Sequence, residues 1–461
     1  MIACYKQSPT KTTTPIYFIK KSDYAAWLKK QKSIVQKWLK TSSFEPKVGA
    51  YSVLPNARGE IDRVILVINE DRQVGLLGEL PRKLPRKDYY IASELPTDQL
   101  ERACIAWGMG AYAYTRYKKQ PAPAKLAWPA SVNKRFVRHV INAVELGRDL
   151  VNTPAEDLGP AELAEAAMNL AKQFGAKHSI TKGKKLQDEY PAIHMVGRAG
   201  KREAQLIDFS WGDKTHPKLT LVGKGVCFDT GGLDLKPAPA MGLMKKDMGG
   251  AAHVLALASL IMSENLPINL RVLIPAVDNA IDGEAYRPSD VITMRNGLTV
   301  EILNTDAEGR LVMADALTDA VEDKPDLLID FSTLTGAARV ALGPEYAVMF
   351  TEASDIAGSI FQAGYQLRDP VWQLPLHRSY RRELRSKIAD MSNCSLSLYG
   401  GAITAALFLQ AFVGHKTPWV HFDVMAYNLY SRPGHPVGGE LMGVRAVFDY
   451  LKNEFAHESK R

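Results

Sequence analysis

A chain of 461 residues, 46% apolar and 23% charged, is long enough for two or three domains and has the composition of an ordinary globular protein. No apolar run reaches the ~18 to 20 residues that span a bilayer, which argues against membrane insertion; the first residues lack an apolar core ending in a small-residue cleavage site, so no secretory signal is expected. The net charge of +8 is read as solubility rather than nucleic-acid affinity, because no arginine-rich arm, zinc finger or aromatic RNA-binding motif accompanies it.

In chain order, residues 1–117 carry mixed helix and strand signals and are expected to form an N-terminal α/β domain. Residues 23–39 place Trp27, Ile34 and Leu39 among lysines, the pattern of an amphipathic helix, and residues 62–69 (DRVILVIN) form a β-branched strand. This segment shows no catalytic constellation. Three prolines within residues 118–133 mark an exposed linker, assigned to residues 118–140. From 141 to 461 strand and helix signals alternate. The runs at 219–223, 270–274, 299–303 and 327–331 read as buried parallel strands. Helices are expected at 249–263 and 310–322, and at 440–452, where Leu441, Val444, Phe448 and Leu451 share a face. The alternation predicts an α/β fold, with a mixed sheet covered by helices on both faces. Ligands of such sheets bind at the carboxyl ends of the strands.

Three segments put acidic residues at strand-to-helix junctions. They are GKGVCFDTGG at 223–232 with Lys236 beyond it, MKKDMGG at 244–250, and NTDAEGRL at 304–311. Clustered carboxylates raise one another's pKa values and need compensating positive charge. Asp229, Asp247, Asp306 and Glu308 supply four negative charges, which two divalent cations would balance. An oxygen-rich set of this kind suits zinc, manganese, magnesium or cobalt. Two such ions ~3.5–4 Å apart can activate a water while polarising a carbonyl. Each segment alone is ordinary: a DxE pair is usually a solvated helix start, a Gly-Gly pair a turn, and a lysine a surface group. Their coincidence is what points to a site.

These segments, with RDLVNTPAEDLGP at 148–160, HMVGRAG at 194–200 and TLTGAARVALG at 333–343, resemble the leucyl aminopeptidase (M17, cytosol aminopeptidase) family over roughly residues 145–450. NTDAEGRL is similar to that family's most specific motif. The resemblance implies a C-terminal catalytic peptidase domain preceded by a smaller, macro-domain-like α/β domain. It implies that Asp229 and Glu308 bridge two ions, Zn2+ or Mn2+, that Lys224 and Asp247 complete the tighter site, and that Asp306 completes the exchangeable one. Lys236 would stabilise the developing oxyanion, and Arg310 would hold a bicarbonate acting as general base. The side-chain pocket maps to Met244, Thr333 and Gly336, with Met425 where the family usually has alanine; the segment 427–433 also departs from the family pattern. Peptides with a free N-terminus would be the substrates and a homohexamer, a dimer of trimers, the assembly.

His253 and His421 read as packed histidines and Cys227 as a buried thiol. The widely spaced cysteines Cys4, Cys104, Cys227 and Cys394 are expected to be reduced, placing the chain in the cytoplasm. No HExxH, GxSxG or GxxxxGK[ST] motif is present, which disfavours zincin, serine-hydrolase and P-loop chemistry. Two alternatives stand beside the metal-dependent aminopeptidase: a nucleic-acid-binding regulatory protein retaining a peptidase fold, and a two-metal phosphoesterase. The intact ligand set favours the enzyme over the first, and no motif supports the second.

Overall fold

The computed structural model describes residues 4–455, which separate into two compact units. The first comprises residues up to Glu145 together with Tyr430–Val437. Its six-stranded sheet runs Tyr5–Lys6, Lys125–Ala127, Asp88–Ile91, Thr14–Lys20, Ile61–Ile68, Tyr51–Pro55, parallel throughout except for the last pair. The strand expected at 62–69 is thus present between Thr14–Lys20 and the edge strand Tyr51–Pro55, with Val64 to Ile68 fully buried. The amphipathic segment at 23–39 divides into two helices, Tyr24–Lys29 and Ser33–Thr41. Gln36, in the second helix, turns back onto the end of the first: its Nε2 donates to Gln31 O at 2.9 Å and lies within 3.4 Å of Leu28 O and Lys29 O, carbonyls left open where the first helix stops. After the break Val35 and Leu39 face the core, and Ile34 is left exposed. Residues 118–140, expected as linker, contain the strand Lys125–Ala127 and the start of the helix Lys134–Asn152. Pro121, Pro123 and Pro129 disfavour helix in the stretch before Lys134 but not a short extended segment there.

The second unit is built on a nine-stranded mixed sheet. Its centre is parallel: Trp419–Asp423, Leu327–Ser332, Lys218–Gly223 and Asn269–Asn279 lie side by side, and Gly225–Asp229 adds to the last of these. Antiparallel strands flank this centre, Ala347–Phe350 on one side and Gln205–Trp211 followed by Lys177–Lys182 on the other. Buried on both faces, the central strands carry continuous apolar runs, with Leu219, Leu221, Ile329 and Phe331 all at zero exposure. The helix Gly249–Ser263 is apolar all round and almost wholly buried, as its composition requires.

The run at 299–303 departs from expectation. Thr299–Glu301 does not join the main sheet; it pairs antiparallel with Val291–Thr293 and parallel with Met391–Ser392. Asn296-Gly297 lies between the first two strands, Gly297 has φ +87°, and the N–H of Met294 bonds to Leu298 O at 2.8 Å. That dipeptide is a tight-hairpin signal, and it fixes an antiparallel partner before a crossover can form. The last helix likewise starts later than expected, at Val444, leaving Leu441 outside it. Asp369 accepts the N–H groups of Gly443, Arg445 and Ala446, and so caps a helix end whose partner is remote in sequence. No described helix is long and apolar enough to cross a membrane.

Candidate active site

The parallel centre of the sheet brings several strand ends to one edge. Lys224 follows the strand Lys218–Gly223, Asp229 closes Gly225–Asp229, Thr333 follows Leu327–Ser332, and Asp423 closes Trp419–Asp423. Two loops complete the group: the turn Met244–Met248, bearing Asp247, and the loop 304–307, which leads to Glu308 at the start of the helix Glu308–Glu322.

Close backbone packing sets the positions. The N–H of Lys224 bonds to Phe331 O at 3.0 Å, and its carbonyl accepts from Ala251 N–H at 2.8 Å. A Cβ on Gly250 would lie 2.0 Å from Phe331 O, and one on Gly309 would lie 2.5 Å from Lys224 Nζ. Only glycine lets the helix Gly249–Ser263 approach the strand and lets the lysine stem pass the helix that begins at Glu308.

Four carboxylates and two lysines meet there. Lys224 Nζ lies 2.7 Å from Asp247 Oδ2 and 2.8 Å from Glu308 Oε1. Lys236 Nζ lies 2.8 Å from Asp229 Oδ2 and also pairs with Asp306 Oδ1. Carboxylate oxygens of Asp229, Asp306 and Glu308 fall within 4.8 Å of one another. Burial, followed by the charge of Asp229, raises Glu308 to about 8 and Asp306 to about 6. Burial alone would lower Lys224, but Asp247, Glu308 and Asp229 together hold it above the ordinary lysine value; Lys236 is held up in the same way by Asp229 and Asp306. Burial would raise Asp247, yet Lys224 and Lys246 keep it low.

Two lysines against four carboxylates leave the cluster short of positive charge. Asp247 Oδ2 and Glu308 Oε1 share the single ammonium of Lys224, and Asp229 Oδ2 and Asp306 Oδ1 share that of Lys236. Buried carboxylates that outnumber their counter-ions are costly unless further cations complete them. The donor set is therefore suited to hard or borderline divalent ions, and it contains every residue expected as a ligand: Lys224, Asp229, Asp247, Asp306 and Glu308.

Arg310 is buried in the first turn of its helix, with Nη1 donating to Asn393 O at 2.8 Å and Nε buried without a partner. Of the residues expected to line a side-chain pocket, Met244 is half-buried, Gly336 exposed and Met425 buried at 8% exposure. Thr333 has a different engagement: its hydroxyl lies 2.9 Å from Asp247 O and 2.7 Å from Asp247 Oδ1, donating to that residue.

With this geometry in view, comparison with known proteins is decisive. Residues 145–448 match the cytosol aminopeptidase family, catalytic domain, and residues 14–129 match the M17 aminopeptidase, N-terminal domain. The chain belongs to the cytosol aminopeptidase family. It is 42% identical over 322 residues to a probable cytosol aminopeptidase of Syntrophotalea carbinolica, an alignment covering 69% of this chain and 64% of that protein. A second, from Rhodococcus opacus, is 38% identical over 390 residues, 79% of this chain and 77% of that one. The crystal structure of cytosol aminopeptidase from Coxiella burnetii superposes with a TM-score of 0.94 at 47% identity, covering 98% of this chain and 99% of that one. The bottromycin maturation enzyme BotP in complex with Mn gives 0.83 at 29% identity, covering 96% and 99%. Membership makes this chain a peptidase hydrolase by family.

Several residues of this cytosol aminopeptidase family member carried no sequence signal. Asn279 is the register partner of Asp229 on the adjacent strand; its Nδ2 donates to Asp229 Oδ1 at 2.8 Å and to Thr305 O at 3.1 Å. Tyr286 donates to the same carbonyl at 2.6 Å. Asn393 accepts from Leu303 N–H at 2.8 Å and donates to Asn304 O at 2.7 Å, holding the acidic loop. Each is a lone polar residue whose partner is distant in sequence, so only the fold reveals it. His253, His421 and Cys227 are fully packed, and burial pushes the Cys227 thiol well up. Cys4 and Cys104 are also buried free thiols, whereas Cys394 is half-buried.

Proposed function

We propose that this chain is a two-metal aminopeptidase that releases the N-terminal residue of peptides, with Lys224, Asp229, Asp247, Asp306 and Glu308 holding the ions. The observation that carries this reading is the charge deficit of the cluster: four carboxylates share two lysine ammonium groups, and Glu308 is raised to about 8. When bound, divalent cations supply Lewis acidity, polarising the scissile carbonyl and making water a better nucleophile.

The chain's own groups do the rest. Asp229 is oriented by Asn279 Nδ2 and the N–H of Gly231, and Asp247 by the hydroxyl of Thr333, so both carboxylates are fixed before any ligand arrives. Lys236, at the cluster's more open side, is a fixed cation able to stabilise the oxyanion that develops at the attacked carbonyl. Arg310 offers a buried guanidinium edge for bicarbonate, which would supply the general base. Specificity for a free N-terminus would follow from lone-pair availability: a neutral α-amine could donate to a bound ion, whereas an internal peptide nitrogen has its pair delocalised into the carbonyl.

Zinc or manganese as the ion pair, a cytoplasmic location and a homohexamer belong to the same proposal; a monomeric mass by light scattering refutes the last. Nucleic-acid binding gains nothing from the family match. The test is Asp306→Ala and Glu308→Ala. Both are expected to abolish hydrolysis of aminoacyl amides and to lose the rise in melting temperature that Mn2+ gives the metal-free wild type. Near-normal turnover with an unchanged Mn2+-induced rise overturns the assignment.

A further inference from the structure

Lys236 is held at the cluster by its ion pairs and by its backbone, and only the second hold is independent of the acids. Its ammonium pairs with Asp229 and Asp306, both assigned to the ions. Carboxylates taken up by divalent cations hold a lysine less strongly, because the ions dominate the local charge. A flexible four-carbon stem does not place its ammonium unaided. The position from which the side chain starts therefore matters.

That position lies at the end of an exposed loop. The loop opens at Gly231 and Gly232, with φ +91° and +66°, where the N–H groups bond to Asp229 Oδ1 and Thr230 Oγ1. It closes where Lys236 N–H donates to Thr230 O at 2.9 Å. Between these points residues 233–235 are all exposed, and Asp234 ties them down. Its Oδ2 accepts the N–H of Thr305 at 2.7 Å, and its own N–H donates to Thr305 Oγ1 at 2.8 Å. The Thr305 hydroxyl donates in turn to Gly231 O at 2.6 Å. Thr305 is wholly buried, and its carbonyl is held from the core by Asn279 and Tyr286. The exposed loop is thus clasped to a fixed point.

The two ends of the clasp sit beside working groups. Asp234 is two residues from Lys236, and Thr305 immediately precedes Asp306. We propose that Asp234 is a positioning residue for the reaction: by clasping Thr305 it sets where Lys236 starts, and so where its ammonium meets the attacked carbonyl. This role rests on the aminopeptidase reading and extends it to a residue outside both the ligand set and the pocket. A misplacement of about 1 Å in a group aimed at the transition state can cost on the order of 10²-fold in rate.

A double-mutant cycle separates positioning from general loosening. The Mn2+-loaded enzyme is assayed on whichever of Leu-, Ala- and Met-p-nitroanilide it cleaves fastest. Asp234→Ala is expected to lower kcat about 10- to 100-fold with KM changed less than about 3-fold. Asp234→Asn, whose Oδ1 can still accept the N–H of Thr305, should recover most of the loss. In a Lys236→Ala background Asp234→Ala is expected to cost less than about 2-fold, because the group it positions is gone. The rise in melting temperature that Mn2+ gives should persist in Asp234→Ala, since Asn279 and Tyr286 still hold the acidic loop. Unchanged kcat in Asp234→Ala, an equal loss with and without Lys236, or disappearance of the Mn2+-induced rise overturns the proposal. Thr305→Val removes the hydroxyl half of the clasp and carries the same expectation in the cycle, should Asp234→Ala not fold. If Lys236→Ala itself leaves kcat unchanged, the role of Lys236 falls and this one with it, while the ion assignment stands. If no substrate is cleaved, the aminopeptidase reading falls as a whole.

Discussion

Acid should loosen this protein through a single histidine. His253 is fully buried in the first turns of the helix that follows the Asp247 loop. Its Nδ1 is 2.7 Å from Gly249 O, and its Nε2 is 2.8 Å from the N–H of Met442. Because Met442 can only donate, Nε2 must accept, and the ring is held as the neutral tautomer with its proton on Nδ1. Protonation would set an Nε2–H against a backbone N–H. Burial lowers His253 from 6.5 to about 4, against the weaker opposing pull of Gly249 O, Asp369 and Glu440. The sign follows directly. An unfolded histidine takes its proton near 6.5 and the folded one resists until about 4, so protons favour the unfolded chain. The stability is fully present above pH 6.5, declines as pH falls, and is wholly lost by about pH 4. At about 1.4 kcal/mol for each tenfold change in proton affinity, the total is roughly 3 kcal/mol, with about 2 kcal/mol gone at pH 5. Urea unfolding between pH 7 and 4.5 measures it, in the wild type and in His253→Leu. The variant is less stable at pH 7, having lost both hydrogen bonds, but its stability should fall less steeply with acid. Parallel curves for the two proteins would refute the argument.

Lys236→Ala is expected to lower kcat by about 10²- to 10³-fold with little change in KM, since its contact strengthens as charge develops on the substrate. Steady-state kinetics on an aminoacyl amide decide this, and a raised KM with kcat preserved contradicts it. Gly250→Ala places a methyl 2.0 Å from Phe331 O and 2.7 Å from Lys224 N, both backbone atoms that cannot swing aside. A loss of about 1–3 kcal/mol is expected, with reduced turnover because Lys224 is displaced. An unchanged melting temperature would show that the helix does not approach the strand this closely.

The catalytic unit is more legible in the sequence than the N-terminal one, for a physical reason. Its strands are buried on both faces, so 219–223 and 327–331 are continuous apolar runs, and the helix 249–263 has Gly at its start and no interruption. The acidic residues of its candidate site are brought together by short motifs at strand ends. The helix at 23–39 is harder to read because its apolar residues keep roughly helical spacing across the break between Tyr24–Lys29 and Ser33–Thr41, which periodicity does not register. The strand at 299–303 misled for a related reason: its apolar character suits any sheet, and the Asn296-Gly297 turn decides which. Lys246 shows where pattern stops altogether. Next to Asp247 it reads as an ordinary surface lysine, and only the fold shows it to be buried.

Lys224 and Lys236 stand within the acidic cluster as internal counter-ions, and their two ammonium groups bridge the strand ends, the Asp247 turn and the loop leading to Glu308. Each lysine is thus a joint of the fold as well as a group of the site, and a change at either is felt in several distant segments at once.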